Sequence, residues 1–312
     1  MFGNNNSPVC YRAKWISLLT AAVLLITTWA APAYAGTWQQ TGDGPSGGWQ
    51  YLKDDGTYAA SEILIDDSTR DIYAFDSSGK MYANTTVDGI FYDGSGRYQC
   101  PNARYSQTYD AGFEDFLNTG IWRFDSWESL LDAMNYVSYN KLLGNPIIMT
   151  TFASEGPTLY ADRNPELMEE IEKCKAMSEM IDSIVSEAKK NAQDGQHVMA
   201  NISKYIIDKA TYTTGYGVAW DILSEGKGVC NAYAQLFAVL CSSAGYQVEV
   251  IPTETIIGIR GKHAINRVLL EDGKWHYYDV TGADQPGGEV FLDMNNEWIF
   301  ANYKLMAEGL YR

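Results

Sequence analysis

Glu225-Gly-Lys-Gly-Val-Cys-Asn-Ala-Tyr-Ala234 is a polar, glycine-bearing loop that turns into an apolar, alanine-rich run. The change of character falls at Cys230, so the sequence predicts that this cysteine heads a helix. The first N–H groups of a helix have no partner within it, and they carry the positive end of its dipole. That environment favours thiolate over thiol. A lone cysteine before a helix is more often a structural residue, so the reading turns on partners further along the chain.

Lys262 to Thr281 supplies them. Glu271-Asp272-Gly273 reads as a three-residue hairpin loop between Leu270 and Lys274, with Gly273 where positive φ is needed. That register sets Ile265 opposite Asp279 and His263 opposite Thr281. Alternation then puts His263, Ile265, Arg267, Trp275, Tyr277, Asp279 and Thr281 on one face. His263 and Asp279 become diagonal neighbours, about 7–8 Å apart at the backbone and within side-chain reach. His276 and Asn266 fall on the opposite face, and His197 is remote, so the geometry selects His263 as the histidine and disfavours an amide as the third group. A thiolate can add to an amide carbonyl, imidazole can carry the proton, and a carboxylate can hold the second ring nitrogen. The backbone N–H of Cys230 can face an oxyanion. Tyr212 and Trp220, upstream of the loop, are candidates for a second donor, with buried aromatics as the other reading of both.

Three stretches carry a family likeness: Ala219 to Ala234, Gly261-Lys-His-Ala-Ile-Asn266, and Trp275-His-Tyr-Tyr-Asp-Val-Thr281. They resemble the transglutaminase-like superfamily, specifically over about residues 200–285. The resemblance implies a papain-like core, with a cysteine-headed helix packed on an antiparallel sheet that carries histidine and aspartate. It implies Cys230 as nucleophile, His263 as general base and acid, and Asp279 as its orienter. The chain departs from the family where Trp often follows the histidine by two residues, here Ile265, and where Trp often follows Asp-x-Thr, here Gly282. It also has Asn231-Ala232-Tyr233 where Gln-Gly-Tyr is common. These changes imply a reshaped substrate groove.

Residues 1–35 read as a signal peptide: Arg12 and Lys14, an apolar run from Ile16 to Ala30, then Ala33-Tyr34-Ala35 as a small-x-small cleavage site. The run is shorter than the ~20 residues a membrane span needs. Losing those two cations takes the formal net charge from −16 to −18. Such a chain repels phosphate backbones, which argues against nucleic acid as a partner. Cys10 leaves with the leader. Cys100, Cys174, Cys230 and Cys241 show no CxxC pair and no metal-ligand spacing, so no disulfide scaffold, zinc site or cofactor is inferred. Nor is there a calcium-loop ligand run.

Residues 36–100 are rich in Gly, Asp, Tyr and Trp and repeat loosely: Trp49 to Tyr58, Ile72 to Tyr82, Gly89 to Tyr98. Each unit has aromatics, an Asp-to-Gly turn and another aromatic, the pattern of short hairpins in series. The units resemble the cell-wall-binding repeats of secreted Gram-positive proteins, including the choline-binding kind. Trp49, Tyr51, Tyr73, Phe75, Phe91 and Tyr92 are the candidate ligand residues, for wall polysaccharide or a choline-like group. A purely structural β-module is the other reading. Residues 101–112 read as a linker, and residues 113–312 as the transglutaminase-like domain. Within it, helices are expected over Ser126 to Leu142, after Asn164-Pro165, and from about His197 to Lys209, with strands at Pro146 to Phe152 and Gln247 to Pro252.

The expected fold is therefore α+β: a papain-like transglutaminase core with added N-terminal helices and a small all-β repeat module. The expected protein is secreted and wall-associated, without a membrane span after cleavage. It would attack peptide or side-chain amides through a thioester, with transfer to amine or water, and so cross-link, cleave or deamidate. A catalytically inactive binding module for peptides or wall glycans is the alternative.

Overall fold

The computed structural model describes residues 36–41, 48–100, 109–131, 133, 150–153, 156–163, 165–256 and 261–306. The expected leader, residues 101–108 of the expected linker, and positions 134–149 lie outside them. Three aromatic-rich antiparallel hairpins open the described chain: β1 (Thr37–Thr41) with β2 (Gly48–Leu52), β3 (Ile63–Ile65) with β4 (Ile72–Ala74), and β5 (Thr85–Val87) with β6 (Ile90–Tyr92). After each second strand comes the same tight turn, with Gly56, Gly79 and Gly96 at φ of 79°, 82° and 80°. In the second and third turns the aspartate gathers N–H groups: Asp76 Oδ1 accepts from Ser78 and Lys80, and Asp93 Oδ1 from Ser95 and Arg97. The repeated Asp-x-x-Gly thus has a cause. The carboxylate organises the turn, and glycine takes the left-handed position that side chains resist.

The helix α1 (Asp110–Thr119) begins inside the segment that the sequence reads as linker. Gly112 looks like a linker glycine, yet it is helical: the Trp122 indole packs so close that a Cβ there would lie 2.7 Å from its Nε1. An antiparallel sheet follows, of β7 (Ile121–Arg123), β8 (Thr150–Ala153) and β9 (Gly156–Tyr160), in the order β7-β9-β8. The long helix α2 (Pro165–Lys189) buries Ile171, Met177, Ile181 and Ala188. In α3 (Gly195–Lys209), Asp194 caps the helix by accepting from the His197 N–H at 2.9 Å. His197 is thereby a capping-turn residue.

Next come β10 (Thr211–Tyr212), α4 (Ala219–Glu225), β11 (Lys227–Gly228) and α5 (Cys230–Ser243), with β10 and β11 paired in parallel. The chain finishes with β12 (Gln247–Thr255), β13 (Gly261–Leu269), β14 (Trp275–Tyr278), α6 (Val280–Ala283), α7 (Asn296–Asn302) and β15 (Tyr303–Leu305). The four strands form one antiparallel sheet in the order β14-β13-β12-β15. Leu269 stands opposite Trp275 and Asn266 opposite Tyr278, the register that a Glu271-Asp272-Gly273 loop dictates, with Gly273 at φ 76°.

Both faces of this sheet are covered. On one, Val250, Ala264, Val268 and Tyr278 pack with α5, where the Phe237 and Tyr278 rings lie 5.2 Å apart. On the other, Ile251, Ile265, Trp275 and Tyr277 share a core with Ile65, Ile72, Tyr92 and Tyr98 of the hairpins. Strand β12 is consequently buried on consecutive residues from Val248 to Thr253, with no one-sided alternation. Backbone and polar bonds follow the same seam: Trp275 N–H donates to Thr69 O at 3.0 Å, and the Tyr277 hydroxyl to Arg70 O at 2.7 Å. The hairpins are the second layer of the sheet, so the boundary that composition draws near residue 100 is no packing boundary.

Candidate active site

Cys230 is the first residue of α5, and the preceding Val229 offers no side-chain cap. The loop before it is pinned from several sides. Val229 N–H donates to Tyr216 O at 2.8 Å, Asn231 Nδ2 to Gly217 O at 2.7 Å, and Ala219 N–H to Gln235 Oε1 at 3.1 Å. At Gly228 a Cβ would come within 2.8 Å of Ile222, so only glycine lets the loop pass that close to α4. Asn231 and Gln235, both buried, are therefore loop anchors.

His263 Nε2 lies 2.8 Å from Asp279 Oδ2, and the side chains are 12% and 3% exposed. Cys230 also acts on the ring through its side chain, so the imidazole interacts with both the cysteine and the carboxylate. Burial is the largest influence on His263 and pulls its pKa down. The Asp279 charge and hydrogen bond, together with Cys230, outweigh it and lift the imidazole to about 10. Asp279 is itself held by three donors. Gly282 N–H reaches Oδ1 at 2.9 Å, while Oδ2 accepts from the Tyr303 hydroxyl at 2.6 Å as well as from His263. Its backbone N–H donates to Phe291 O at 2.9 Å.

Tyr212 and Trp220 part company. The β10–β11 pairing sets Tyr212 opposite Gly228. Burial, the larger influence, and the nearby Cys230 side chain raise the Tyr212 pKa, and the backbone of Cys230 opposes that rise. Trp220 is half-buried on α4 and packs against the main core. A cavity of about 470 Å3 opens beside the histidine, walled by Tyr212, Lys262, His263, Gln285, Phe291 and Tyr303 among others. His276 points elsewhere, to Asp272 at 3.2 Å and Asp293 at 2.9 Å. Tyr303, Phe291 and Gln285 carry no motif that marks them in sequence. None of Cys100, Cys230 and Cys241 is in a disulfide, and Cys100 and Cys241 are buried. Among the described residues no group of His, Cys, Asp and Glu side chains is arranged to hold a metal.

The six candidate ligand aromatics of the hairpins are not equivalent. Tyr51, Tyr73, Phe75 and Tyr92 are buried, whereas Trp49 and Phe91 are 42% and 39% exposed. Tyr51, Tyr73 and Phe75 surround Trp38, their ring centroids 5.0, 4.7 and 5.8 Å from its own. Trp38 is thus the hub of the aromatic cluster, a role its sequence gives no sign of. Phe75 and Tyr92 also line a cavity of about 450 Å3, with Tyr82, Glu62, Asp76 and Asp88.

Residues 178–280 match the family model described as the transglutaminase-like superfamily. Among solved structures, the chain is similar to a candidate cysteine protease from Cytophaga hutchinsonii, with 18% identity, 41% of this chain and 47% of that one covered, and a TM-score of 0.30. The periplasmic domain of TgpA from Pseudomonas aeruginosa, bound to ethylmercury, matches with 16% identity, coverage of 36% and 46%, and a TM-score of 0.30. The modular autolysin LytC from Streptococcus pneumoniae matches with 27% identity over 23% of this chain and 16% of its own, at a TM-score of 0.19. This chain spans less than half the length of each. The comparison with curated proteins finds no match. The match over residues 178–280 makes that stretch a transglutaminase-like domain of mixed helix and strand.

Proposed function

We propose that the chain is a cysteine enzyme that attacks amides, with Cys230 as nucleophile, His263 as proton carrier and Asp279 as its orienter. The observation that carries this reading is the His263 Nε2–Asp279 Oδ2 pair at 2.8 Å, on a ring that also interacts with the side chain of Cys230 at the start of an uncapped helix. An imidazolium beside a helix-start sulfur favours the thiolate. Sγ adds to the amide carbonyl carbon, and the oxyanion is met by the Cys230 N–H. Tyr212, whose hydroxyl stands near that N–H, would become a second donor. Collapse breaks the C–N bond, His263 protonates the departing amine, and a thioester remains. Water or an amine then gives its proton to His263 and attacks the thioester, and the C–S bond breaks to restore the thiolate. The leader pattern and the hairpins extend the proposal to a secreted, wall-associated enzyme. The cavity that joins Phe75, Tyr82 and Tyr92 to Glu62, Asp76 and Asp88 has the chemistry of an ammonium-binding cage.

The test is alkylation of the mature protein by iodoacetamide, with modified cysteines located by mass spectrometry. Wild type should be modified rapidly at Cys230, slowly after His263→Ala, and normally after His276→Ala. Wild type without selective Cys230 modification at any pH would sink the enzyme reading and favour the inactive binding module. For the wall proposal, Tyr82→Ala should weaken sedimentation with isolated walls without changing Cys230 modification. Equal sedimentation of variant and wild type would refute the cage.

A further inference from the structure

Tyr303 lies beyond residues 178–280, outside the family match, on the edge strand β15. Its ring stacks on His263 with centroids 5.8 Å apart and planes 8° from parallel. Its hydroxyl donates to Asp279 Oδ2 at 2.6 Å, the same oxygen that faces His263 Nε2 at 2.8 Å. The residue is 4% exposed, and it is held there because β15 pairs with β12, with Tyr303 opposite Thr255. One side chain therefore touches both partners of the cysteine and fixes the plane of the histidine ring.

We propose that Tyr303 is a positioning residue that sets the proton affinity of His263 through Asp279; this rests on the reading of Cys230, His263 and Asp279 as a nucleophilic site. The physical argument is one of shared charge. A carboxylate oxygen that accepts two hydrogen bonds gives less of its charge to either donor than one that accepts a single bond. The Tyr303 hydroxyl thus takes part of the negative charge that would otherwise hold the proton on the imidazole. A base that must both accept and return a proton works best when its pKa is not far above working pH. The groups that face the ring are Asp279, Cys230 from α5 and Tyr303 from β15, with Lys262 and Tyr212 at the cavity rim. Of the three that face the ring directly, Tyr303 is the one whose hydroxyl can be removed while its ring stays.

The chain has three histidines, so their ring signals can be followed separately by NMR with isotope-labelled histidine. Tyr303→Phe keeps the stacked ring and removes the hydroxyl. Its His263 titration should move up by roughly half a pH unit or more, since each unit reports about 1.4 kcal/mol of differential stabilisation. His197 and His276 should titrate as in wild type, which reports an intact fold. In the Asp279→Asn background, Tyr303→Phe should shift nothing further. The alkaline limb of Cys230 alkylation should follow the His263 titration. An unmoved or lowered His263 titration in Tyr303→Phe would overturn the proposal. So would loss of the His197 and His276 signals, because Tyr303 would then be a core residue only. If wild type itself shows no Cys230 alkylation, the nucleophile reading fails first. If wild type is alkylated and the variant matches it at every pH, only the role of Tyr303 fails.

Discussion

Gly282 shows how one residue can reshape the site. Its N–H donates to Asp279 Oδ1, and a Cβ at this position would lie 2.8 Å from both Asp279 Oδ2 and Phe291 Cγ. The resemblance leads one to expect a tryptophan here, and the ring that stands beside the site is Phe291, brought in by the 3-10 turn Gly288–Phe291. Gly282→Ala should therefore destabilise the protein by about 1–3 kcal/mol in urea unfolding, the range for overpacking a filled site. It should also slow alkylation of Cys230, because the collision falls on the carboxylate that holds His263. A cost below about 0.5 kcal/mol, the usual scatter of surface substitutions, would show that the loop relaxes freely. Asp279→Asn should be far more damaging to turnover, by analogy with the ~10⁴-fold loss on the same change in a serine protease. Measured turnover of an amide substrate that falls less than tenfold would make Asp279 a structural residue. That Gly282 departs from the family was legible in the sequence. Its cause was not, since Phe291 meets it through a turn that no local pattern connects to the site.

At the scale of elements, the hairpin β13–β14 was readable because its register is set by local chemistry: a three-residue loop and one glycine in the left-handed region. What lay beyond local chemistry was the company its faces keep. Arg267 falls on the predicted face, yet it is buried, with Nε donating to Glu249 Oε2 at 2.5 Å and its guanidinium 4.2 Å from the Trp275 ring centroid and 5.3 Å from that of Tyr98. Glu249 comes from β12 and Tyr98 from the third hairpin, both remote in sequence. Burial pushes Glu249 up, and the Arg267 charge and hydrogen bond oppose that shift. Glu249→Ala should leave the buried cation with the more distant Asp71, 3.9 Å from its Nη1, as its acidic partner and cost about 3–5 kcal/mol in denaturant unfolding. Replacing the pair together, Glu249→Leu with Arg267→Met, should recover most of that loss. If the double variant is as unstable as the single one, the pair is needed for its own hydrogen bonds and stacking, and the simple desolvation account fails.

For the whole molecule, the sequence divides the chain by composition, whereas the fold joins it by packing. Arg70, from the hairpins, bonds Asp293 at 3.0 Å and the Met294 carbonyl, and Asp293 in turn lies 2.9 Å from His276 Nδ1. Asp293 raises the His276 pKa above its ordinary 6.5, burial opposes it, and Asp272 adds to the rise. A raised histidine stabilises the fold fully below about pH 6.5, and that contribution is lost as pH climbs through the raised value. His276→Gln should thus cost most near pH 6 and progressively less toward pH 9 in urea unfolding; a pH-independent cost would exclude the titration. The same seam revises what removing the hairpins would do. A tethered wall-binding module could be deleted without touching the chemistry, and the Asp-to-Gly repeats and glycine-rich composition invite that expectation. In the fold, Ile251, Ile265, Trp275 and Tyr277 lie under Ile65, Ile72, Tyr92 and Tyr98. Removing residues 36–100 would bare that face of the sheet, and each fully buried side chain of this kind contributes about 1.5–3 kcal/mol. Several such side chains together approach the 5–15 kcal/mol that holds a whole domain folded. His263 and Ile265 sit on the same strand, so the site would lose its support with the face. The truncated chain should aggregate or show no cooperative unfolding, and its Cys230 alkylation should lose its dependence on His263. If the truncated chain unfolds cooperatively and is alkylated at Cys230 at the wild-type rate, the hairpins are a detachable module after all.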